Sequence, residues 1–285
     1  MEEIHLAFKA HDIHELLCHG IAEKGGFYRD AGIHVRLLDS TFVPDEALPD
    51  NTFLSACGAV LAGFLSGKDY KVVFVACDRP MFWVYGRQGI EQIEELAQGR
   101  VATFPEAAPP AQFLKELLAN AGVAPGLVPC RDDVSRLALV SSGSVDAALL
   151  SSNCLSTEVN EGGCRVLAFV GDEIRLPSAG LAVTTSLFNG RPDLVEKMVW
   201  TYRRAMKCVF DENSILLKRT LSETFAVSEH NLDEAIKLTR QSYNSAGFSC
   251  DRILIAAVEK IAAELGRPSR DSADLYELNY IRSLN

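Results

Sequence analysis

The chain has 285 residues, 48% of them hydrophobic and 23% charged, with 28 Lys+Arg against 38 Asp+Glu and a formal net charge of −10. That is enough apolar matter for a large core, so a wholly disordered chain is excluded, and the length predicts one large or two modest domains. The acidic balance argues against a nucleic-acid partner, which needs a basic stripe to release counterions.

Ile4–Phe8 reads as a buried strand. Asp12 and Glu15 have capping-box spacing, a carboxylate for the first free N–H groups with a Glu three residues on, and predict a helix from Ile13 to Glu23 stopped by Gly25-Gly26. Ile33–Leu38 is a second strand, residues 42–50 a connection with Pro44 and Pro49, Thr52–Ala56 a third strand and Gly58–Ser66 a short apolar helix. Lys71–Ala76 is apolar throughout from Val72, which suits a strand covered on both faces, and Phe82–Tyr85 continues extended after Pro80. The pattern then restarts. Ile90–Ala97 reads as helical, Arg100–Phe104 as a strand, Ala111–Ala121 as a helix and Val123–Pro129 as a loop. A helix over Asp133–Val140, a strand over Val145–Leu150, a helix over Cys154–Asn160, a strand over Arg165–Val170 and an extended Ala179–Thr184 follow. From Pro192 the chain turns helical, with Pro192–Phe210, Leu232–Ser245 and Ile253–Leu265.

Strands alternating with helices predict an α/β fold with mixed, mainly parallel sheets flanked by helices, followed by a helical C-terminal tail. Two successive units predict two lobes: residues 1–85 with 185–285 as a discontinuous first lobe, 86–184 as the second, and hinge crossings near 85–88 and 178–184. No apolar run approaches the ~18–20 residues that span a bilayer. The N-terminus lacks a basic region followed by an apolar stretch. Taken as complete, the chain is expected in the cytoplasm; taken as trimmed of a leader, in the periplasm or outside the cell. Eight cysteines at long spacings predict free thiols rather than a disulfide framework.

Three segments carry a resemblance. They are IAEKGGFYRDAGIHVRLL at 21–38, Gly99–Pro105 followed by Gln112–Gly122, and Gly143-Ser-Val-Asp-Ala147. In this order and spacing the chain resembles the sulfonate-, nitrate- and taurine-type solute-binding proteins, over roughly its first 190 residues. The resemblance implies a two-lobed type II periplasmic-binding-protein fold that closes on a small organic ligand without a cofactor. For an exported chain it implies an ABC-type membrane permease as partner. The same superfamily includes the fungal enzyme that makes the pyrimidine precursor of thiamine. For that branch the resemblance implies a Lys to hold pyridoxal phosphate and a His four residues later, at the third strand's end. Those positions read Ser55 and Ala59, which can neither form a Schiff base nor supply an imidazole.

Ligands of open α/β sheets sit beyond the carboxyl ends of the strands, beside helix N-termini. That rule selects Phe8, Lys9, His11 and Asp12 after the first strand, Cys57 and Gly58 after the third, and Asp78 and Arg79 after the fourth. In the second lobe it selects Phe104, Glu106 and Pro109, then Ser151 and Asn153. Each admits two readings. His11, His14, Cys18 and His19 spell H-x2-H-x3-C-H, either a metal edge or packed side chains; no metal is assigned. Asp78 and Arg79 form a salt-bridged pair, or Arg79 grips a carboxylate or sulfonate. Lys9 is a ligand contact or a solvated turn residue. Glu106 sits where relatives cradle an anion with small hydroxyl residues. It favours a neutral, cationic or aromatic ligand, unless it simply points to solvent at a helix start. Phe8, Phe82, Trp83 and Phe104 form a slot for a ring, or core. Cys57, in a strand-to-helix turn, is a nucleophile or a small buried residue.

A solute-binding protein is therefore the expected function. The alternative is a cytoplasmic enzyme on the same fold, thiamine-precursor-synthase-like or a lyase, with His11, Cys57 and Glu106 in acid–base or nucleophilic roles.

Overall fold

β1 (Glu2–Phe8), β2 (Ile33–Asp39), β3 (Thr52–Leu54), β4 (Tyr70–Cys77) and β10 (Ala179–Thr184) form one sheet in the order β2-β1-β3-β10-β4. The computed structural model that shows this describes residues 1–106 and 108–283. β1 runs parallel to β2 and β3, Glu2 opposite Ile33 and His5 opposite Thr52, while β10 runs antiparallel to β3 and β4. The continuous apolar run of β4 is explained by burial on both faces, as a central-layer strand requires. Helices Ile13–Lys24 and Pro192–Phe210 cover the sheet, and Phe74 of β4 meets Tyr202 edge-to-face at 5.8 Å. β10 passes so close to β4 that a Cβ on Gly180 would lie 2.0 Å from the Phe74 carbonyl oxygen, so only glycine fits there.

β5 (Phe82–Gly86), β6 (Arg100–Thr103), β7 (Gly126–Pro129), β8 (Ala147–Ser151) and β9 (Arg165–Phe169) form a second sheet in the order β7-β6-β8-β5-β9. β6 is parallel to β7 and β8, and β5 is antiparallel to β8 and β9. Two mixed five-stranded sheets flanked by helices, with a helical C-terminal region, are thus the fold that the alternation predicted.

Several local expectations change. Residues 126–129 are an edge strand rather than a loop; four half-exposed residues bounded by Gly and Pro carry no alternating pattern. Ile93–Gln98 is a 3₁₀ helix, and Ile215–Phe225 is a helix that the sequence left unassigned. Capped by Ser214, it packs Leu217, Thr220 and Leu221 inward and leaves Ile215 exposed.

The chain divides into two units, residues 1–78, 175–232 and 236–285 in the first, and 79–174 and 233–235 in the second. The crossings at 78/79 and 174/175 fall before the expected hinges at 85–88 and 178–184, and residues 233–235 are a further short exchange. β5, expected in the first lobe, is laddered into the second sheet, and β10, expected in the second, is laddered into the first. An extended segment announces itself in sequence, but the ladder that it joins does not.

Asp78, the last residue before the first crossing, is 3% exposed. Its Oδ2 accepts from Arg175 Nη2 at 2.8 Å, Ser249 Oγ at 2.9 Å and Asn244 Nδ2 at 3.0 Å, and its carbonyl accepts from Leu176 N–H. Asp78→Ala strands three donors at once. It is expected to lower unfolding free energy by about 3 kcal/mol in urea or guanidinium titrations, with Asp78→Asn recovering part of the loss.

Candidate functional site

In the first unit the carboxyl ends of β1, β2, β3 and β4 share one edge with the start of β10, as the parallel and antiparallel pairings require. Asp12 caps the Ile13–Lys24 helix, its Oδ1 accepting from Glu15 N–H at 2.9 Å. The returning arm of the expected capping box goes elsewhere. Glu15 Oε2 accepts from Lys9 N–H at 3.0 Å and from Ser55 Oγ at 2.6 Å, tying the loop after β1 to the loop after β3. Burial raises the Glu15 carboxyl, and the Ser55 hydroxyl bond opposes that rise. Lys9 Nζ donates to the Ser40 carbonyl at 2.6 Å and lies 3.6 Å from Asp45 Oδ1, so it staples the turn. His11 is exposed, its ring edge-on to Phe8 at 5.7 Å and tilted against Phe225 at 6.1 Å.

The H-x2-H-x3-C-H residues go to separate partners. His14 Nε2 is 2.8 Å from Ser178 Oγ, His19 Nδ1 is 3.1 Å from Tyr28 Oη, and Cys18 is buried. Burial lowers both buried imidazoles to about 4. Among the described residues no group of three or more His, Cys, Asp or Glu is placed to hold a metal. Cys57 begins the Cys57–Leu65 helix but is 1% exposed, and burial pushes its thiol up. Desolvation of the thiolate outweighs the helix dipole, which removes the nucleophile reading. Gly58 N–H donates to the Ser178 carbonyl at 3.2 Å.

In the second unit the carboxyl ends of β6, β7 and β8 share an edge with the start of β5. Phe82 and Phe104 meet there edge-to-face at 5.4 Å, both half-buried, with Phe113 buried behind Phe82 at 6.3 Å. Trp83 is core, stacked on Phe169 at 5.1 Å. The guanidinium of Arg136, 1% exposed, lies 3.6 Å from the Phe104 ring centre. Its Nη1 donates to the Cys130 carbonyl at 2.9 Å and its Nη2 to Asp133 Oδ1 at 2.6 Å. Asp133 in turn accepts from Ser151 N–H at 3.1 Å and Ser151 Oγ at 2.5 Å, and Asn153 N–H donates to Ser151 Oγ at 3.3 Å. Among the described residues, Thr103 Oγ1 at the end of β6, Ser152 Oγ after β8 and Arg136 Nε are buried without a partner.

Three pairings differ from expectation. Asp78 and Arg79 do not pair with each other: Asp78 binds Arg175, and Arg79 binds Asp172 Oδ1 at 3.3 Å. Asp78 is therefore a buried node and not a ligand-facing carboxylate. Glu106 is 81% exposed and paired with Lys115 Nζ at 2.9 Å, whose hydrogen bond lowers its carboxyl. It points to solvent beside the helix Pro109–Asn120 and does not set the ligand's charge. Ala107 of this loop lies outside the described residues. Sequence reasoning placed Ser152 in the loop after β8 without singling it out, and missed Glu15 as a tip residue and Thr103, Asp133 and Arg136 altogether. The one available signal was the i, i+3 spacing of Asp133 and Arg136 on a helix.

Two α/β units of this topology define the fold of periplasmic-binding-protein-like chains. Solved structures with it include the ligand-binding component of an ABC-type import system from Staphylococcus aureus with zinc bound, at TM-score 0.75 and 12% identity over 100% of this chain and 99% of that one. The alkanesulfonate-binding protein SsuA from Xanthomonas axonopodis pv. citri, bound to MOPS, is similar at TM-score 0.75 and 12% identity over 98% and 99%. The desulfurization enzyme DSZB is similar at TM-score 0.72 and 16% identity over 98% of each chain. The family model described as NMT1/THI5 like matches residues 19–213, and the chain belongs to that family. A search of curated proteins finds no match. Among the described residues no helix is long and apolar enough to cross a membrane.

The two buried imidazoles give the protein an acid-sensitive stability. Each is held neutral in the fold, with its ordinary value of 6.5 restored on unfolding, so the unfolded chain takes up more protons between pH 6.5 and about 4. Their contribution is complete above pH 6.5. It is expected to fall by about 1.4 kcal/mol per pH unit for each ring as the pH drops through that window. Denaturant titrations across it should show a shallower slope in His14→Gln and in His19→Gln.

Proposed function

We propose that this chain is a solute-binding protein that holds a small organic molecule at strand-tip loops. The observation that carries the reading is the tip of the second unit. The guanidinium of buried Arg136, paired with Asp133, lies there over the ring of half-buried Phe104, Phe82 meets Phe104 edge-to-face, and the buried hydroxyls of Thr103 and Ser152 in the same tip loops have no partner among the described residues. A folded chain tolerates such hydroxyls where a ligand completes them. Family membership supports the reading, as does the likeness to import-system and sulfonate-binding components. His11, Gly58, Pro109 and Asn153 keep tip positions that suit ligand contact. The crossings at 78/79 and 174/175 serve as the hinge. An exported form hands its solute to an ABC-type permease from the periplasm or cell exterior.

The enzymatic alternative loses its nucleophile with Cys57 and its candidate acid–base carboxylate with Glu106. Thermal denaturation in the presence of heterocycles, amines and organic acids tests the binding reading. A true solute at a hundred times its Kd is expected to add about 2.7 kcal/mol by mass action, and Phe104→Ala should diminish that gain. A broad panel that shifts no melting curve would refute solute binding.

A further inference from the structure

We infer that the solute is an uncharged molecule carrying an aromatic ring, held by Phe82 and Phe104 and hydrogen-bonded by Thr103 and Ser152. The inference rests on the solute-binding reading and narrows it.

Anion recognition at a helix start needs free N–H groups. At the second unit's tip the helix Pro109–Asn120 opens with two prolines, which have none. The nearby N–H groups of Ala108 and Ala111 are bonded to the Pro105 and Ala108 carbonyls at 2.8 and 3.0 Å. Gln112 Nε2 donates to the Glu106 carbonyl at 2.9 Å. At the first unit's tip the N–H groups of Cys57 and Gly58 are bonded to the Ser55 and Ser178 carbonyls. At these two helix starts those backbone donors are bonded from within.

Most of the charged side chains at the tips are paired as well, although Arg136 Nε has no partner among the described residues. Lys9 has Asp45, Asp78 has Arg175, Arg79 has Asp172, Glu106 has Lys115 and Arg136 has Asp133, each pair within its own unit. A charged solute entering beside these pairs gives up water without gaining an opposite charge from them. The tip groups left to bind are of another kind. Thr103 and Ser152 are 2% and 3% exposed, and each hydroxyl both donates and accepts without formal charge. Two half-buried phenyl rings lie at the same edge. The cation that an anionic solute would need is Arg131, exposed beyond β7, and it marks the competing outcome.

Calorimetric titration and thermal shift on the full chain with four probes of similar size decide the matter: benzamide, cyclohexanecarboxamide, benzenesulfonate and benzylammonium. Benzamide is expected to bind, with each of the other three weaker by about tenfold. Thr103→Val and Ser152→Ala are expected to weaken benzamide by about tenfold while leaving the free protein's melting temperature unchanged or higher, because they delete unpartnered buried hydroxyls. A merely structural hydroxyl would lower it. Arg131→Ala should leave benzamide binding unchanged. Benzenesulfonate binding tightest, and lost in Arg131→Ala, overturns the ligand class but leaves solute binding standing. If all four probes fail, the wider panel decides: an uncharged aromatic hit supports the inference, a charged or aliphatic hit overturns it alone, and no hit overturns both readings.

Discussion

The carboxylate of Asp78 is the constraint on which the rest depends. A buried carboxylate is costly unless donors surround it. Here Arg175, Asn244 and Ser249 supply them from segments 97, 166 and 171 residues away in sequence. Two of those segments belong to the C-terminal region and one is the return crossing, so a single side chain fixes where the chain leaves the first sheet and where it comes back. The close approach of β10 to β4 at Gly180 follows directly downstream, and with it the position of Ser178 against His14 and Gly58.

A second theme is internal neutralisation. The strand tips are rich in Lys, Arg, Asp and Glu, which at the level of sequence invites a charged ligand. In the fold those charges partner one another, and the prolines at 109 and 110 withdraw backbone donors from the helix start where an anion would sit. Arg136 shows the consequence most clearly. Two of its nitrogens are held by Asp133 and the Cys130 carbonyl, and its plane lies over the Phe104 ring. The same desolvation that holds His14 and His19 neutral pushes the Cys57 thiol up, and so withholds the nucleophile that its helix-start position suggested.

Much of the fold was legible in the residues. Apolar runs marked β1, β4 and β8, Asp12 marked its helix start, and Pro192 opened a helix ending at Phe210 as expected. What escaped was weakly patterned, such as the four-residue edge strand at 126–129 and the largely polar helix Ile215–Phe225. For the candidate site, the strand-end rule found the loops, while Glu15 and Arg136 sit on helices, where the spacing from Asp12 and from Asp133 marked a cap and an ion pair but not what they hold.

By itself the sequence determined which segments are strands and helices and in what order they come. Periodicity, caps and prolines act over a few neighbouring residues, and their energetics are already present in the local chain. Only the tertiary structure decided partnership: β5 and β10 exchanging sheets, Arg79 with Asp172 and not Asp78, Lys115 neutralising Glu106, and Phe104 lying beneath Arg136. Ladder pairing and charge compensation are settled by distance and burial, and neither is encoded in spacing along the chain.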